Sequence, residues 1–278
     1  MNNLDPKLNE YIHQWGARAI PFHDQEGRKP FETDQTRRSV ELLQQTAALR
    51  SVMLLSGNNG VGKSSLAAHW VRGLEPSQYQ AVIITQATLG ASGLLSTLLN
   101  KLGAQPGGRR ATNLILLEKA ITLLNGVIPV VLLDEAQNYH ASALEELRLL
   151  LGLNLPAQPL FSLILIGDQH LRRTLRLQCH RALYSRIACI SALEPLSSDQ
   201  IEPYLRHSLS QAGLERQLFE PAAIDLISAA SDGIPRTLNQ LALTAWIEAS
   251  KEQSSTITAQ HLQAAIARIP IARDKIKL

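Results

Sequence analysis

The stretch Gly57-Asn58-Asn59-Gly60-Val61-Gly62-Lys63-Ser64 decides how the rest of the chain is read. It follows the apolar run SVMLLS at 51–56 and precedes a segment with helical spacing at 63–73. A glycine-rich loop closing on Lys-Ser, between a strand and a helix, is the phosphate-loop pattern in its required context. The glycines let successive backbone N–H groups turn inward on a phosphate, at the positive end of the following helix. Lys63 is placed to reach the β- and γ-phosphates, and Ser64 to hold Mg²⁺. Ser65 completes the expected nucleotide-binding set, with ATP and Mg²⁺ as the implied ligands.

Further along, Val130-Val131-Leu132-Leu133 runs into Asp134-Glu135. An apolar strand ending in an acid is where Mg²⁺ is held through its water shell, so Asp134 joins Ser64 as a metal-binding residue. Glu135 beside it is placed to polarise a water for in-line attack on the γ-phosphate. This pair favours an ATPase that hydrolyses over a protein that only binds nucleotide.

Similar short runs recur at 81–85 (AVIIT), 161–166 (FSLILI) and 187–190 (IACI). They are apolar on both faces, which suits a parallel sheet covered on both sides by helices. Helical stretches at 63–73, 93–102, 112–124 and 141–151 lie between them, predicting a wound α/β domain with five parallel strands. After 192 only helices follow: 198–213, which opens on Ser-Ser-Asp and closes on Gly, then 221–230, 236–251 and 258–269. The expected organisation is an irregular leader at 1–35, an α/β nucleotide-binding domain at 36–191, a small all-α lid domain at 192–270 and a basic tail at 271–278. Pro6, Pro21, Gly27 and Pro30 are the reason for reading the leader as irregular.

Composition narrows the class. The chain has 278 residues, 45% apolar and 18% charged, with a formal net charge of +3. That is enough apolar content to bury a core and argues against disorder. The longest apolar stretches, such as 127–133, fall far short of the ~20 residues that cross a bilayer. The polar start lacks the order of a signal peptide. Cys179 and Cys189 fit neither a disulfide framework nor a metal spacing, and are expected as small buried apolar residues. The expectation is a soluble, cytoplasmic protein with no membrane partner.

The modest total charge hides segregation. Lys101, Arg109, Arg110 and Lys119 stand against Glu118, a local +3. Arg172, Arg173, Arg176, Arg181 and Arg186 stand against Asp168, a local +4. Arg268, Arg273, Lys275 and Lys277 stand against Asp274, again +3. Only Tyr184 falls among these bases, which argues against stacking on single strands. Gly167-Asp168-Gln169 ends the fourth strand at the edge that faces a ligand in such sheets, so Asp168 or Gln169 is placed to position the attacking water. Gly233-Ile234-Pro235-Arg236 puts an arginine in the first turn of a helix, where the dipole disfavours a cation. A nucleotide phosphate is the expected counter-charge.

Over residues 10–268 the sequence resembles the AAA+ ATPases and, within them, the ExeA-type clade. The resemblance rests on the phosphate loop, on Asp134-Glu135-Ala136-Gln137-Asn138 followed by Ala143-Leu144-Glu145-Glu146-Leu147-Arg148, and on Leu165-Ile166-Gly167 with Leu171 beyond. It also rests on Gly233-Ile234-Pro235-Arg236-Thr237-Leu238-Asn239 and on the opening Trp15-Gly16 … Pro21-Phe22. Where the clade shows Gln-Pro-Glu after the glycine, this chain has Asp168-Gln169-His170. The resemblance implies Asp168 as sensor 1 and Arg236 as sensor 2. It implies Arg186, with Arg181 as the other candidate, as the arginine finger acting on a neighbouring subunit's nucleotide.

Without a membrane segment or a peptidoglycan-binding domain, the chain is most similar to transposition regulators of the TniB, TnsC and MuB type. That similarity implies an ATP-loaded homo-oligomer, a ring or helical filament on double-stranded DNA, which marks a target and activates a transposase. A target-selection protein is the further implied partner. In such assemblies the loop after the second strand's helix faces the central channel. Lys101, Arg109, Arg110 and Thr112 are therefore the implied DNA contacts, with the two arginines carried on a flexible glycine-rich loop at 103–112. These contacts should be sequence-independent, because no recognition-helix signature is present. The alternative within the clade is an ExeA/GspA-like ATPase that assists assembly of an envelope or secretion complex without binding DNA.

Overall fold

A computed structural model describes residues 5–23, 27–86, 89–154 and 158–274. Lys275 and Lys277, counted above in the basic tail, lie outside these residues. The chain divides into two units. One runs Glu32–Asn59 and Lys63–Leu193; the other gathers the described residues up to Phe31, Gly60–Gly62 and those from Glu194 onward.

The first unit is the expected α/β layer structure. Helix α2 (Asp34–Ala48) precedes strand β1 (Val52–Gly57), and α3 (Lys63–Arg72) leads to β2 (Tyr79–Ile84). Helices α4 (Ala91–Lys101) and α5 (Arg110–Thr122) lead to β3 (Ile128–Leu133), and α6 (Ala141–Leu150) to β4 (Ser162–Gly167). Helices α7 (Gln169–Leu175) and α8 (Arg181–Tyr184) then precede β5 (Ile187–Leu193). All pairings are parallel, in the order β2-β3-β4-β1-β5. Every residue of β1 and β4 is buried, as expected of inner strands apolar on both faces, whereas the edge strands β2 and β5 are only partly buried. Leu54, Leu98, Leu117, Leu147 and Phe161, each at most 1% exposed, belong to one core cluster. Register brings the carboxyl ends of the strands to one edge: Ser56 pairs with Gly167, Leu133 with Leu165, and Ile84 with Leu133. The phosphate loop, the acidic pair and the Gly167 turn leave the sheet on that edge, where ligands meet such folds.

The second unit is helical: α9 (Ser198–Gln211), α10 (Pro221–Ser231), α11 (Pro235–Lys251), α12 (Ala259–Arg268) and α13 (Pro270–Arg273). Side-chain capping boxes at Ser197/Gln200 and Thr258/His261 start α9 and α12. The leader departs from its expected irregularity, because residues 6–15 form helix α1 (Pro6–Trp15). Pro6 stands in the first turn, where its missing N–H costs nothing, Asp5 caps the backbone N–H of Lys7, and Gly16 closes the helix at φ 70°. Ile12, Trp15, Ile20 and Phe22 join Leu241 and Trp246 in the core of this unit. The Trp15 indole N–H donates to Ser250 Oγ at 2.7 Å, and the Arg216 guanidinium sits 5.6 Å from the Trp15 ring centroid. Among the described residues, no helix is long and apolar enough to cross a membrane. The cysteines are free; Cys189 is partly buried, but Cys179, expected inside, is exposed on the turn between α7 and α8.

Candidate functional site

The phosphate loop is built by its glycines. Gly60 and Gly62 hold φ of +86° and +99°, in the left-handed region that side chains rarely adopt. A Cβ at Gly60 would lie 2.9 Å from Arg236 Cβ and 3.0 Å from Ile234 Cγ2, and the Arg236 backbone N–H donates to the Gly60 carbonyl at 3.1 Å. These residues share a unit, so the tip of the loop and the start of α11 form one piece. Lys63 is 6% exposed, and its ammonium donates to the Gly57 and Asn58 carbonyls at 2.9 and 3.0 Å. Ser64 and Ser65 follow, exposed, in the first turn of α3. A helix N-terminus, glycines with left-handed backbone and a buried lysine make a donor set that fits a nucleotide's phosphates. The Ser64 hydroxyl and the Asp134 carboxylate are oxygen donors suited to Mg²⁺. The residues present therefore fit ATP with Mg²⁺.

The acidic pair is held more tightly than its motif suggests. Asp134 Oδ1 accepts from the backbone N–H of Glu135 at 2.9 Å, and Glu135 adopts φ +50°. Glu135 Oε2 accepts from the side-chain amide of Gln137 at 2.6 Å. The other end of that amide, Gln137 Oε1, accepts from the backbone N–H of Asp168 at 3.3 Å. In the sequence Gln137 is one letter of the Asp134-Glu135-Ala136-Gln137-Asn138 motif, and its position two residues past Glu135 is the signal for this role. Tyr139 donates its hydroxyl to the Ile84 carbonyl at 3.1 Å. Burial, reinforced by the Asp134 charge, pushes the Tyr139 pKa up to about 12.

The two sensor candidates at the end of β4 do different things. Asp168 Oδ1 accepts from the Leu171 N–H at 3.0 Å, capping α7. Gln169 instead reaches the phosphate loop, donating its amide to Asn58 Oδ1 at 3.1 Å. Of the two arginines near β5, Arg181 is exposed, while Arg186 is half-buried with a guanidinium nitrogen 3.3 Å from the Cβ position of Gly152. That glycine lies just past the C-terminus of α6, where the helix dipole favours a cation.

Lys101, Arg109, Arg110 and Thr112 all lie on the surface, at the end of α4 and the start of α5. The expected flexible loop is shorter and more constrained than its glycines suggest. Asn113, 5% exposed, accepts from the Gly107 N–H at 2.7 Å, and Arg110 already belongs to α5. Arg110 pairs with Glu146, whose side chain is 4% exposed, whereas Arg109 stands as an exposed residue at the N-cap. Arg172, Arg173 and Arg176 are exposed on and just after α7.

A parallel sheet of this order, with a phosphate loop after β1 and an acidic pair after β3, defines a P-loop ATPase of the AAA+ class. Residues 47–175 match the AAA domain family. General secretion pathway protein A of Aeromonas hydrophila is 30% identical over 227 residues, which cover 80% of this chain and 41% of that protein. The chain thus has the fold of an AAA+ ATPase and is similar to General secretion pathway protein A, of whose length it spans about two fifths. Among solved structures, the Aeropyrum pernix ORC2 protein in ADPNP–ADP complexes matches with a TM-score of 0.67 at 18% identity, covering 88% of this chain and 70% of that one. The Aeropyrum pernix ORC1 protein in complex with DNA matches with a TM-score of 0.62 at 19% identity, covering 84% and 64%. At these identities the likeness is one of fold.

Proposed function

We propose that this chain is an ATP-controlled ATPase that assembles with further copies of itself on double-stranded DNA. In that state it marks a target site and activates a transposase. The observation that carries the DNA reading is the exposed basic tip at the α4–α5 connection, where Lys101, Arg109 and Thr112 face solvent on backbone clamped by Asn113. Such side chains grip phosphates without reading bases, so binding falls steeply with salt. Arg110 lies in the same tip and, through Glu146, orients it. The ORC1 structure, on the same fold, is a DNA complex.

For the chemistry, Lys63 and the loop amides hold the triphosphate, and Ser64 with Asp134 would hold Mg²⁺. The metal, when bound, neutralises charge on the β- and γ-phosphates. Glu135 takes the proton from the attacking water, and Gln169 with Asp168 shapes the edge on which that water sits. Arg236, beside the Gly60 turn at the start of α11, acts as sensor 2, and Arg186 completes the site of a neighbouring copy. ATP binding therefore favours assembly, and hydrolysis releases it.

A second reading, an ATPase assisting assembly of an envelope or secretion complex without DNA, is favoured by the relationship to General secretion pathway protein A. A DNA mobility-shift titration with electron microscopy, in ATP, in ADP and without nucleotide at two salt concentrations, separates the two. ATP-dependent, salt-sensitive rings or filaments on DNA support the first reading. Their absence in all three nucleotide states supports the second.

A further inference from the structure

We propose that Gln137 positions the catalytic glutamate, tying the Glu135 carboxylate to the carboxyl end of β4. The inference rests on Glu135 being the base that activates water. It starts from the amide group: one end donates to Glu135 Oε2 at 2.6 Å while the other accepts from the Asp168 N–H at 3.3 Å. A primary amide is a side chain that offers a donor and an acceptor at once, and here each faces its complement. Turned over, the amide would set its oxygen against a carboxylate and its NH₂ against an N–H, so the orientation is chemically determined. The bond to Glu135 is charge-assisted and correspondingly strong.

An independent observation comes from Gly167. A Cβ there would lie 2.7 Å from Gln137 Oε1 and 2.6 Å from Leu171 Cδ2, so a side chain at this position would displace the amide or the leucine from where they stand. The gripped peptide also links onward. Gln169, one residue past Asp168, bonds Asn58 in the phosphate loop. The turn after β4 thus touches the loop through Gln169 and the glutamate through Gln137. Glu135 itself is exposed, on left-handed backbone. Without the amide its carboxylate is free to rotate among staggered side-chain positions, few of which face the attacking water.

The test compares the wild-type chain with Gln137→Ala, Gln137→Glu and Glu135→Gln. The measurements are steady-state and single-turnover ATP hydrolysis, binding of a fluorescent ATP analogue, melting temperature, and crystal structures of the nucleotide-free chains. Gln137→Glu is the discriminating variant, since it keeps the acceptor for the Asp168 N–H but replaces the donor facing Glu135 with a second carboxylate. Both Gln137 variants should lose roughly tenfold or more in kcat while KM and analogue binding stay within about threefold, part of what a general base contributes. In nucleotide-free Gln137→Ala, the Glu135 side chain should leave its single position. A Gln137→Glu chain that hydrolyses like wild type would reduce Gln137 to a prop for the β4 turn and overturn the proposal. So would analogue binding and melting temperature that fall in step with kcat. Wild-type rates from both Gln137 variants beside an inactive Glu135→Gln overturn this inference alone. An active Glu135→Gln overturns the assignment of the base beneath it.

Discussion

Arg110 lays its guanidinium against the carboxylate of Glu146. Its Nε lies 3.1 Å from both carboxylate oxygens, and a terminal nitrogen lies 3.0 Å from one of them. The glutamate side chain is 4% exposed and the arginine 49% exposed, so one partner is withdrawn from water while the other remains at the surface. A cation in the first turn of α5 opposes the helix dipole, and Glu146 from α6 offsets it.

This pairing separates two neighbouring arginines that look equivalent in the sequence. Arg110→Ala strands a buried carboxylate and should cost roughly 1–3 kcal/mol of stability, less than a fully buried pair because the arginine is half solvated. Arg109→Ala should leave thermal unfolding unchanged and weaken DNA binding. Unfolding curves and DNA titrations of the two single variants check this, and an unchanged melting temperature for Arg110→Ala would contradict it.

Glu135→Gln keeps the size of the side chain but removes the base. It should bind ATP as wild type does, hydrolyse it about a hundredfold or more slowly, and hold its DNA assembly after ATP addition. Phosphate release and a mobility shift followed over time read the two effects. Loss of ATP binding in this variant would show that Glu135 has a different role.

The loop glycines should respond unequally to alanine. Gly60 and Gly62 both have positive φ, but only at Gly60 does a Cβ meet close neighbours, in Arg236 and Ile234. Gly62→Ala carries the backbone penalty of about 1–2 kcal/mol, and Gly60→Ala adds the steric displacement of α11's first turn. Melting temperature and ATP-analogue affinity should both fall further for Gly60→Ala. Equal losses would mean that the contact with Arg236 contributes nothing.

Alkaline stability should report Tyr139. Its pKa is raised from 10.0 to about 12 by burial and by Asp134, so folding favours the neutral phenol. The contribution is present in full below pH 10 and is lost as pH rises from 10 to 12, on the order of 2–3 kcal/mol across that window. Tyr139→Phe should flatten the slope there, at the cost of the hydrogen bond to the Ile84 carbonyl. Denaturant titrations at intervals from pH 9 to 12 measure it.

Trp15 anchors a segment that proline and glycine had made look irregular. Its indole is buried against Trp246 and bonded to Ser250, so Trp15→Ala should cost about 3–5 kcal/mol in the helical unit. Calorimetry of the full chain would show the loss as a lower melting temperature.

Much of this molecule was legible from local chemistry. The phosphate loop, the acid pair after β3 and the five apolar strands announce themselves because the turn, helix start and burial they need are set by adjacent residues. Helix α1 is not legible there, because Pro6 in isolation suggests a break, whereas at a helix's first position it is an initiator. Nor is the exposure of Cys179 legible, because a small apolar residue on a short turn carries no signal of its burial. The ambiguity between Asp168 and Gln169 likewise lay beyond the sequence, since both side chains suit the same turn and only their partners differ.

What the sequence by itself determined, then, is the class of fold, the ligand chemistry of the loop and the candidate base. These follow from periodicity and from residue types a few positions apart. Tertiary structure alone decided which side chains meet across long separations: Gln137 with the backbone of Asp168, 31 residues away, and Arg110 with Glu146, 36 residues away. A chain records the hydrogen-bonding capacity of each residue but not the partner that satisfies it. That choice is made when strand order brings the ends of β3 and β4 side by side and sets α5 within reach of α6.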